Sequence, residues 1–424
     1  MRVLLAANAS YVPPRGGATR CNLAWLGLLA QSGVQCRAVC AALPAQDPEG
    51  RNQFASENLG SQWSVSEHAG GFTAHGPGIA VFAVSAPGAL ARELRRQCEE
   101  FRPDWVLVSS EDLSHLLLRE AHRCAPGRVV YLAHTPQFFP FGPESWNPES
   151  DGVELVTAAA GVVVIGRSMA EYVRTHAHCE ATVIHPPIYG DPPFPNLACH
   201  DRGLITMINP CALKGVAIFL ALADRFPQFP FGALPGWGTT TADRTEIRKR
   251  PNIVWLSNPP RIRHVLAQTR VLLMPSLWYE GLGLIVVEAM LHGIPVIASD
   301  RGGLAEAKAG TGFLIPVPAV RGYERVFDER GLPRLIIDPP DIEPWAEALR
   351  TLLEDPTAYR AESERSRRAA LNFVENLRPD ALRDFLEQLR PAPSRPVGHT
   401  LLGRRPPEKS ALLLQLLRER GRKR

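Results

Sequence analysis

The sequence lacks the features that mark several large protein classes. No apolar run approaches the roughly 18 residues that a membrane-spanning helix needs, and the apolar stretch at residues 3–7 is too short for the core of a signal peptide. The eight cysteines end at Cys211 and contain no C-x-x-C pair, which is typical of reduced intracellular thiols. We therefore expect a cytoplasmic protein without a transmembrane segment.

An excess of charge of one sign is also missing. The 47 basic and 43 acidic residues leave a net charge of +4, whereas a nucleic-acid-binding protein concentrates basic residues on one face. We therefore expect no nucleic-acid partner. Apolar residues make up 45% and charged residues 21% of the chain, which is ordinary for a globular protein and excludes wholesale disorder.

Motifs for metal and nucleotide-triphosphate chemistry are absent as well. The sequence contains no Walker loop, no H-E-x-x-H and no nucleophile elbow. His176, His178 and Cys179 lie close together in sequence, but their spacing matches no standard zinc site. We therefore expect no bound metal.

What the sequence does contain is a regular alternation of short apolar runs and amphipathic segments. This alternation predicts βαβ units and parallel sheets. It stops at a proline cluster, residues 186–195, and resumes at Leu204. Residues before prolines favour extended backbone, so the cluster predicts a semi-rigid linker. Residues 44–75 carry no pattern, and we expect them to be irregular.

The sequence thus predicts an α/β fold with two Rossmann-like, doubly wound domains that face a central cleft, followed by C-terminal helices. The length of 424 residues exceeds the roughly 150 of one domain. The expected units are a first domain at 1–190, which binds the acceptor, and a second at 191–375, which binds the donor. A helix at 376–390 is expected to cross back to the first domain, and a flexible basic tail with an amphipathic helix follows at 391–424.

Two glycines follow the first predicted strand. Gly16 and Gly17 precede a helix, where bare backbone and free helical amides favour an anion. The dinucleotide pattern G-x-G-x-x-G is absent. An ordinary strand-to-helix turn is an equally good interpretation.

A second glycine turn lies between Glu280 and Glu288. Gly281 and Gly283 form a bare turn, and Glu288 follows among apolar residues of the next helix. A buried carboxylate is costly unless it accepts hydrogen bonds, and a pair of sugar hydroxyls would supply them. The alternative is a structural glutamate that caps a neighbouring loop.

Lys214 follows another strand and precedes another helix. It is one of only five lysines, and a lysine at such a position acts as a mobile point charge for phosphate. The alternative is a solvated lysine, although helix starts disfavour cations.

His134 lies just past a strand, beside a group of aromatic residues. The group would form an apolar acceptor surface or, alternatively, a local hydrophobic core; its members are Phe138, Phe139, Phe141 and Trp146.

Seven residues separate Glu280 from Glu288, with Gly-x-Gly between them. This spacing resembles the EX7E signature of the retaining GT-B glycosyltransferases of family 4. The resemblance covers roughly residues 1–390 and is most specific in the C-terminal half. Further segments that resemble the family are 15–17, 162–168, 214–215, 271–276, 293–299 and 302–306.

The resemblance implies a role for each matching residue. Lys214 would neutralise the donor diphosphate, and Glu288 would hold the ribose hydroxyls. Glu280 would bind hydroxyls of the transferred sugar. Gly17 would approach the phosphate from the first domain, and His134 would contact the sugar. The backbone amides expected beside Glu280 are those of Gly281, Leu282, Gly283 and Leu284.

One residue departs from the family pattern. Asn209 stands where the family usually has an arginine, a few residues before the lysine. This substitution removes one cation from the expected diphosphate site. Arg15 and Arg301 are candidates to replace it, or the positive helix ends suffice.

The resemblance implies transfer of a sugar from a UDP-, GDP- or TDP-linked donor with retained anomeric configuration. No cofactor or metal is required, and no D-x-D motif is present. In the family, retention is attributed to front-face attack, so the two glutamates are not a nucleophile pair.

The acceptor is expected to be a small molecule, and three interpretations stay open. Residues 407–414 resemble linker sequence beside condensation domains of nonribosomal peptide synthetases and related polyketide assembly lines, and residues 408–420 form the expected docking helix. That favours a bacterial secondary metabolite as the acceptor, with docking to an assembly-line protein. The alternatives are a cell-envelope or polysaccharide glycosyltransferase, and a nucleotide-sugar epimerase or binding protein of the same fold.

Overall fold

The computed structural model describes residues 1–12, 14, 16–42, 62–257 and 261–393. Within them the chain forms two open α/β sheets, each covered by helices on both faces, and one separate hairpin. The tail helix predicted at 408–420 lies outside the described residues.

The first domain is built on a nine-stranded sheet with the order β3-β4-β5-β2-β1-β6-β7-β8-β9. Its strands from β5 to β9 in that order are parallel, and β3 and β4 add an antiparallel edge. The strands are β1 (Arg2–Ala6), β2 (Gln35–Ala41), β3 (Ser64–His68), β4 (Gly71–Gly76), β5 (Ile79–Val84), β6 (Trp105–Ser109), β7 (Val129–Ala133), β8 (Gly161–Val164) and β9 (Thr182–Val183).

Two apolar cores flank this sheet. Val3 and Leu5 enter one core, while Leu4 and Ala6 enter the other, as a parallel sheet covered on both faces requires. The helices that cover it are α1 (Gly17–Gln31), α2 (Leu90–Phe101), α3 (Leu116–Cys124), α4 (Gly152–Thr157) and α5 (Arg167–Ala177).

The second domain has a six-stranded parallel sheet with the order β12-β11-β10-β13-β14-β15. Its strands are β10 (Leu204–Ile208), β11 (Phe231–Leu234), β12 (Ile253–Trp255), β13 (Thr269–Met274), β14 (Val296–Ser299) and β15 (Leu314–Ile315). A hairpin of β16 (Gly322–Phe327) and β17 (Pro333–Ile336) stands apart from it.

Eight helices complete the described chain. Six belong to the second domain before its long last helix: α6 (Val216–Arg225), α7 (Thr241–Arg248), α8 (Arg263–Leu266), α9 (Leu284–Leu291), α10 (Leu304–Lys308) and α11 (Glu343–Glu354). They are followed by α12 (Pro356–Glu375) and α13 (Ala381–Gln388). Helix α13 packs against α1, with Leu382 and Leu386 in the core of the first domain. In the part of the chain that the structure describes, no helix is long and apolar enough to cross a membrane.

The prediction of irregular structure at residues 44–75 is wrong for the last part of that segment. Residues 64–68 and 71–76 pair as β3 and β4, whereas residues 43–61 are not described. Strand β3 is mostly exposed, and Gly70 and Gly71 interrupt the sequence between the two strands. Phe72 and Ala74 of β4 are buried, but so short an alternation, bounded by glycines, does not predict a strand by itself.

In both sheets the order of the strands reverses at the first strand, so that later strands are added on its other side. In the first sheet β1 lies between β2 and β6, and in the second β10 lies between β11 and β13. Ligands of open α/β sheets bind at such switch points, outside the carboxyl ends of the strands. The segments that leave β1, β6, β10 and β13 are therefore the ones to inspect for a site.

Candidate functional site

Two helix starts from opposite domains meet in the structure. Helix α1 begins after Gly16 (φ 92°), and α9 begins after Gly283 (φ 95°). Neither start has a side-chain cap or an acidic residue in its first turn. A Cβ on Gly17 would lie 2.9 Å from Cδ1 of Leu284. The free amides and positive dipole ends of two helices therefore lie side by side.

Lys214 lies close to these starts through its contact with the segment after β13. Its Nζ is 2.5 Å from Oε1 of Glu280 and 4.9 Å from the ring centroid of Trp278. Gly215 (φ 80°) makes this approach possible, since a Cβ there would lie 1.9 Å from the carbonyl oxygen of Pro275. The lysine is therefore not solvated: a glutamate 66 positions along the chain is its partner.

Glu280 is held in a fixed orientation. Its Oε1 also accepts a hydrogen bond from Oγ of Ser276 at 2.6 Å, and its backbone carbonyl accepts one from the amide of Gly303 at 2.7 Å. The residue is 8% exposed. A buried carboxylate with a cation and a hydroxyl donor points in a defined direction.

Glu288 has a partner that the sequence did not reveal. Nη2 of Arg20, on α1 of the first domain, lies 2.8 Å from Oε1 of Glu288, on α9 of the second. The glutamate therefore does not cap a neighbouring loop. Arg20 lies three residues after Gly17, but no local pattern links it to a glutamate 268 positions away.

His134 is buried at the carboxyl end of β7, beside the second domain. Its Nε2 is 2.8 Å from Oδ1 of Asn22, and its ring stacks on Trp25 with centroids 5.9 Å apart. Burial lowers its pKa to about 3, so the ring is neutral near pH 7. A Cβ on Gly281 would lie 2.0 Å from the carbonyl oxygen of His134, which places the histidine backbone directly against the glycine turn.

A half-buried glutamate that the sequence analysis missed lies in the same network. Asn22 also donates to Oγ of Ser109 at 3.0 Å, and that hydroxyl lies 3.3 Å from Oε2 of Glu111. Burial raises the pKa of Glu111 to about 7. Ser109 ends β6, so the chain from His134 to Glu111 follows the carboxyl edge of the first sheet.

The expected aromatic acceptor surface divides into two groups. Phe138 and Trp146 join an aromatic cluster with Trp278 of the second domain, at centroid distances of 6.3 and 5.3 Å from it. Phe139 and Phe141 are 0% and 5% exposed and pack inside the first domain. The prediction of an acceptor role for these two is wrong, because both rings are core residues.

Asn209 is turned into the protein. Its Oδ1 accepts a hydrogen bond from the amide of Gly238 at 2.8 Å, and its buried Nδ2 has no partner among the described residues. It therefore brings no charge to the position where an arginine was expected. Arg301 ion-pairs with Glu144 and lies 5.4 Å from the ring of Tyr279. Arg15 lies outside the described residues.

A further ion cluster joins the domains at Glu306, on α10. Oε2 of Glu306 accepts a hydrogen bond from the backbone amide of Arg167 at 2.6 Å, and its Oε1 lies 2.7 Å from Nε2 of His185. Burial alone would raise the pKa of Glu306, but His185 and Arg167 lower it. Among the described residues, no group of three or more His, Cys, Asp or Glu could hold a metal ion.

Comparisons with known proteins show what the chain is similar to. Residues 233–355 match the family model of glycosyl transferases group 1. The chain has the GT-B fold, and its second domain matches glycosyl transferases group 1. An alpha-maltose-1-phosphate synthase of Mycobacterium tuberculosis is 33% identical over 167 residues, 35% of this chain and 43% of that protein. The chain thus aligns with less than half the length of this relative.

Solved GT-B structures cover nearly the whole chain. Sucrose-phosphate synthase from Thermosynechococcus elongatus aligns over 92% of this chain and 98% of its own, with a TM-score of 0.65 and 15% identity. HepE from Anabaena, solved with UDP and glucose, aligns over 92% of this chain and 100% of its own, with a TM-score of 0.62 and 15% identity. WaaG, a glycosyltransferase involved in lipopolysaccharide biosynthesis, aligns over 92% of this chain and 100% of its own, with a TM-score of 0.61 and 15% identity. At these identities the likeness establishes the fold.

Proposed function

We propose that the protein is a glycosyltransferase that moves a sugar from a nucleotide-diphosphate sugar to an acceptor hydroxyl or amine. One observation carries the proposal: two uncapped helix starts from opposite domains adjoin each other, close to a turn whose glutamate is paired with Lys214. Charge develops on a diphosphate as it leaves a sugar. Fixed amides, helix dipoles and a cation stabilise that charge in the transition state.

The remaining roles follow from what each residue contacts. Glu280 lies between Lys214 and the glycine turn, and its carboxylate accepts hydroxyls of the transferred sugar. Glu288, one turn into α9, accepts ribose hydroxyls. The neutral ring of His134 acts as a hydrogen-bonding group and not as an acid, since burial holds its pKa at about 3. The complex of HepE with UDP and glucose supports this kind of donor.

We propose that the transferred sugar keeps its anomeric configuration. In a retaining glycosidase one carboxylate of a close pair attacks the anomeric carbon. Here Glu280 is engaged by Lys214 and Ser276, and Glu288 by Arg20, which suits binding better than attack. The acceptor then approaches from the face that the diphosphate leaves, and a phosphate oxygen takes its proton. No metal is required for this route.

The aromatic cluster of Phe138, Trp146 and Trp278 supports an apolar acceptor such as a secondary metabolite. The docking segment at 408–420 remains a prediction, tested by truncation after Arg390. Unchanged co-purification with the assembly-line protein and an unchanged product profile would remove the docking hypothesis.

A second candidate is a cell-envelope glycosyltransferase, favoured by the likeness to WaaG. Sedimentation with anionic liposomes separates the two, because a lipid-linked acceptor requires binding to the membrane surface.

The test begins with a thermal-shift screen of UDP, GDP, TDP and ADP, followed by their sugars. Binding to the native state raises the melting temperature by mass action. NMR of the donor then follows the anomeric proton. Transfer with retention requires an acceptor and gives a product of the same configuration. Epimerisation of the donor without acceptor would favour the epimerase interpretation, and no response to any nucleotide would contradict the proposal.

A further inference from the structure

The ion pair between Arg20 and Glu288 crosses the domain boundary one turn behind the two helix starts. Arg20 follows Gly17 by three residues on α1, and Glu288 follows Leu284 by four on α9. One turn of helix rises about 5.4 Å, a distance that an arginine side chain can span. The guanidinium of Arg20 is therefore within reach of any phosphate seated between the helix starts.

The charges around the proposed donor site leave a place for this cation. Lys214 is already paired with Glu280, Arg301 with Glu144, and Asn209 is neutral. The donor carries a diphosphate, and its ribose would occupy Glu288. Occupation of Glu288 would deprive Arg20 of its present partner at the moment when a new anion arrives one turn away.

The energetic balance favours such a change of partner. The side chain of Arg20 is 41% exposed, whereas that of Glu288 is 9% exposed. Water reaches the Arg20 end of this pair and screens the attraction. A diphosphate carries more negative charge than one carboxylate, and it offers a guanidinium several oxygens for paired hydrogen bonds. Once ribose hydroxyls satisfy Glu288, the guanidinium therefore gains by moving to the diphosphate.

We propose that Arg20 is a donor-positioning residue that exchanges partners when the donor binds. In the free protein it holds Glu288; in the donor complex ribose hydroxyls take Glu288 and the guanidinium binds the diphosphate. This inference rests on the proposed function and deepens it. It supplies, from the first domain, the cation that Asn209 does not supply from the second.

The test compares affinities for a nucleoside, its monophosphate and its diphosphate by isothermal titration calorimetry, using the base that the wild-type protein binds. Arg20→Gln should weaken the diphosphate about 10- to 100-fold. The nucleoside should bind equally well or a few-fold tighter, because Glu288 is then free for ribose. Arg20→Lys should give an intermediate loss, since it keeps the charge but not the planar fork, and it remains informative if Arg20→Gln does not fold.

A matched control is Arg167→Gln, which removes another arginine at the domain boundary, beside Glu306. This variant should change neither the affinity for the nucleoside nor the affinity for the nucleoside diphosphate. The double variant Arg20→Gln/Glu288→Gln separates the two possible actions of Arg20. If the guanidinium contacts phosphate, Arg20→Gln costs the same diphosphate affinity in the Glu288→Gln background. If it acts only by orienting Glu288, that loss disappears.

Equal weakening of nucleoside and diphosphate, tightening of both, or disappearance of the loss in the double variant would overturn the inference while leaving the proposed function intact. Failure of the wild-type protein to bind any nucleoside diphosphate would overturn both.

Discussion

Two titratable side chains in one hydrogen-bond network are displaced toward their neutral forms. Burial lowers the pKa of His134 to about 3 and raises that of Glu111 to about 7. Asn22 and Ser109 connect them. Burial disfavours a charge of either sign, so it acts in opposite directions on a base and an acid. The first domain thus offers neutral hydrogen-bonding groups, whereas the second offers a charged pair.

Glu111→Gln should stabilise the protein at high pH. The folded pKa of Glu111 is raised, so its contribution to the free energy of unfolding is intact below the unfolded value of 4.5. It is lost as the pH rises through about 7. Above that pH the glutamine variant should be more stable by about 3 kcal/mol, with no difference near pH 4. Urea denaturation at several pH values measures this.

The control for this prediction is Glu99→Gln, on the exposed surface of α2. It should change the free energy of unfolding by less than about 0.5 kcal/mol at any pH. A pH-independent effect of Glu111→Gln would contradict the prediction.

Glu280→Gln should abolish most transfer while leaving nucleotide binding intact. The amide can still accept a hydrogen bond from Ser276. It no longer neutralises Lys214, and it no longer offers a negative charge to the hydroxyls of the sugar. We expect kcat to fall at least about 100-fold. The affinity for the nucleoside diphosphate should hold or rise, because Lys214 is freed. Steady-state kinetics and calorimetry measure the two effects.

Ser276→Ala is the matched comparison, since it removes one hydrogen bond to the same carboxylate oxygen. Its effect on kcat should not exceed about tenfold. A folded Glu280→Gln variant that transfers sugar at the wild-type rate would contradict the assigned role.

At the scale of elements, three glycines predict a graded series. A Cβ on Gly281 would meet the carbonyl oxygen of His134 at 2.0 Å, and backbone cannot give way. A Cβ on Gly17 would meet only the flexible end of Leu284 at 2.9 Å. Gly27 lies inside α1 with nothing within 4 Å, so alanine there should stabilise the helix by about 0.5–1 kcal/mol.

The melting temperature should therefore rise for Gly27→Ala, fall slightly for Gly17→Ala and fall most for Gly281→Ala. The last should lose more than about 2 kcal/mol, because either the backbone or the domain contact must shift. Calorimetric melting of the three variants checks the order. Equal stability of the Gly281 and Gly17 variants would mean that the glycine turn does not press on His134.

The elements differ in how far the sequence predicts them, and burial is the reason. Strand β14 and helix α9 fall within the predicted βαβ alternation, because their short apolar runs are delimited by glycine and proline. Strand β3 is mostly exposed, and β16 and β17 bury few residues. These three strands therefore give no regular apolar alternation.

The site divides in a similar way. Gly16, Gly17, Lys214 and Glu280 stand in local motifs, so the sequence can single them out. Arg20 and Asn22 act through partners far along the chain: Arg20 is 268 positions from Glu288, and Asn22 is 112 positions from His134. Such contacts exist only in the folded chain, and single-sequence patterns carry no signal for them. The aromatic cluster is intermediate, since Phe138 and Phe139 differ only in which side of the turn they occupy.

For the whole molecule, the domains are joined at several separate places. Arg20 reaches Glu288, Arg301 reaches Glu144, and Arg167 and His185 hold Glu306. Of these contacts, only the pair of Arg20 and Glu288 joins the two helices whose starts form the proposed site. A ligand that displaces only the first pair can therefore bind without separating the domains.

Chelation of metals should leave transfer unchanged. The charge of the leaving diphosphate is expected to be met by amides, helix dipoles and cationic side chains, so no divalent ion is required. The rate of transfer in EDTA should equal the rate without it within about twofold. Loss of activity in EDTA with recovery on addition of Mg²⁺ or Mn²⁺ would contradict this expectation.

The most direct measurement is the crystal structure of the protein with the nucleoside diphosphate that it binds. The diphosphate should lie between the starts of α1 and α9, with a phosphate oxygen about 3 Å from Nζ of Lys214 and from an amide at the start of α9. Gly17 should face it from the first domain. A diphosphate bound elsewhere, or held by one domain without Lys214, would contradict the proposed site and the chemistry derived from it.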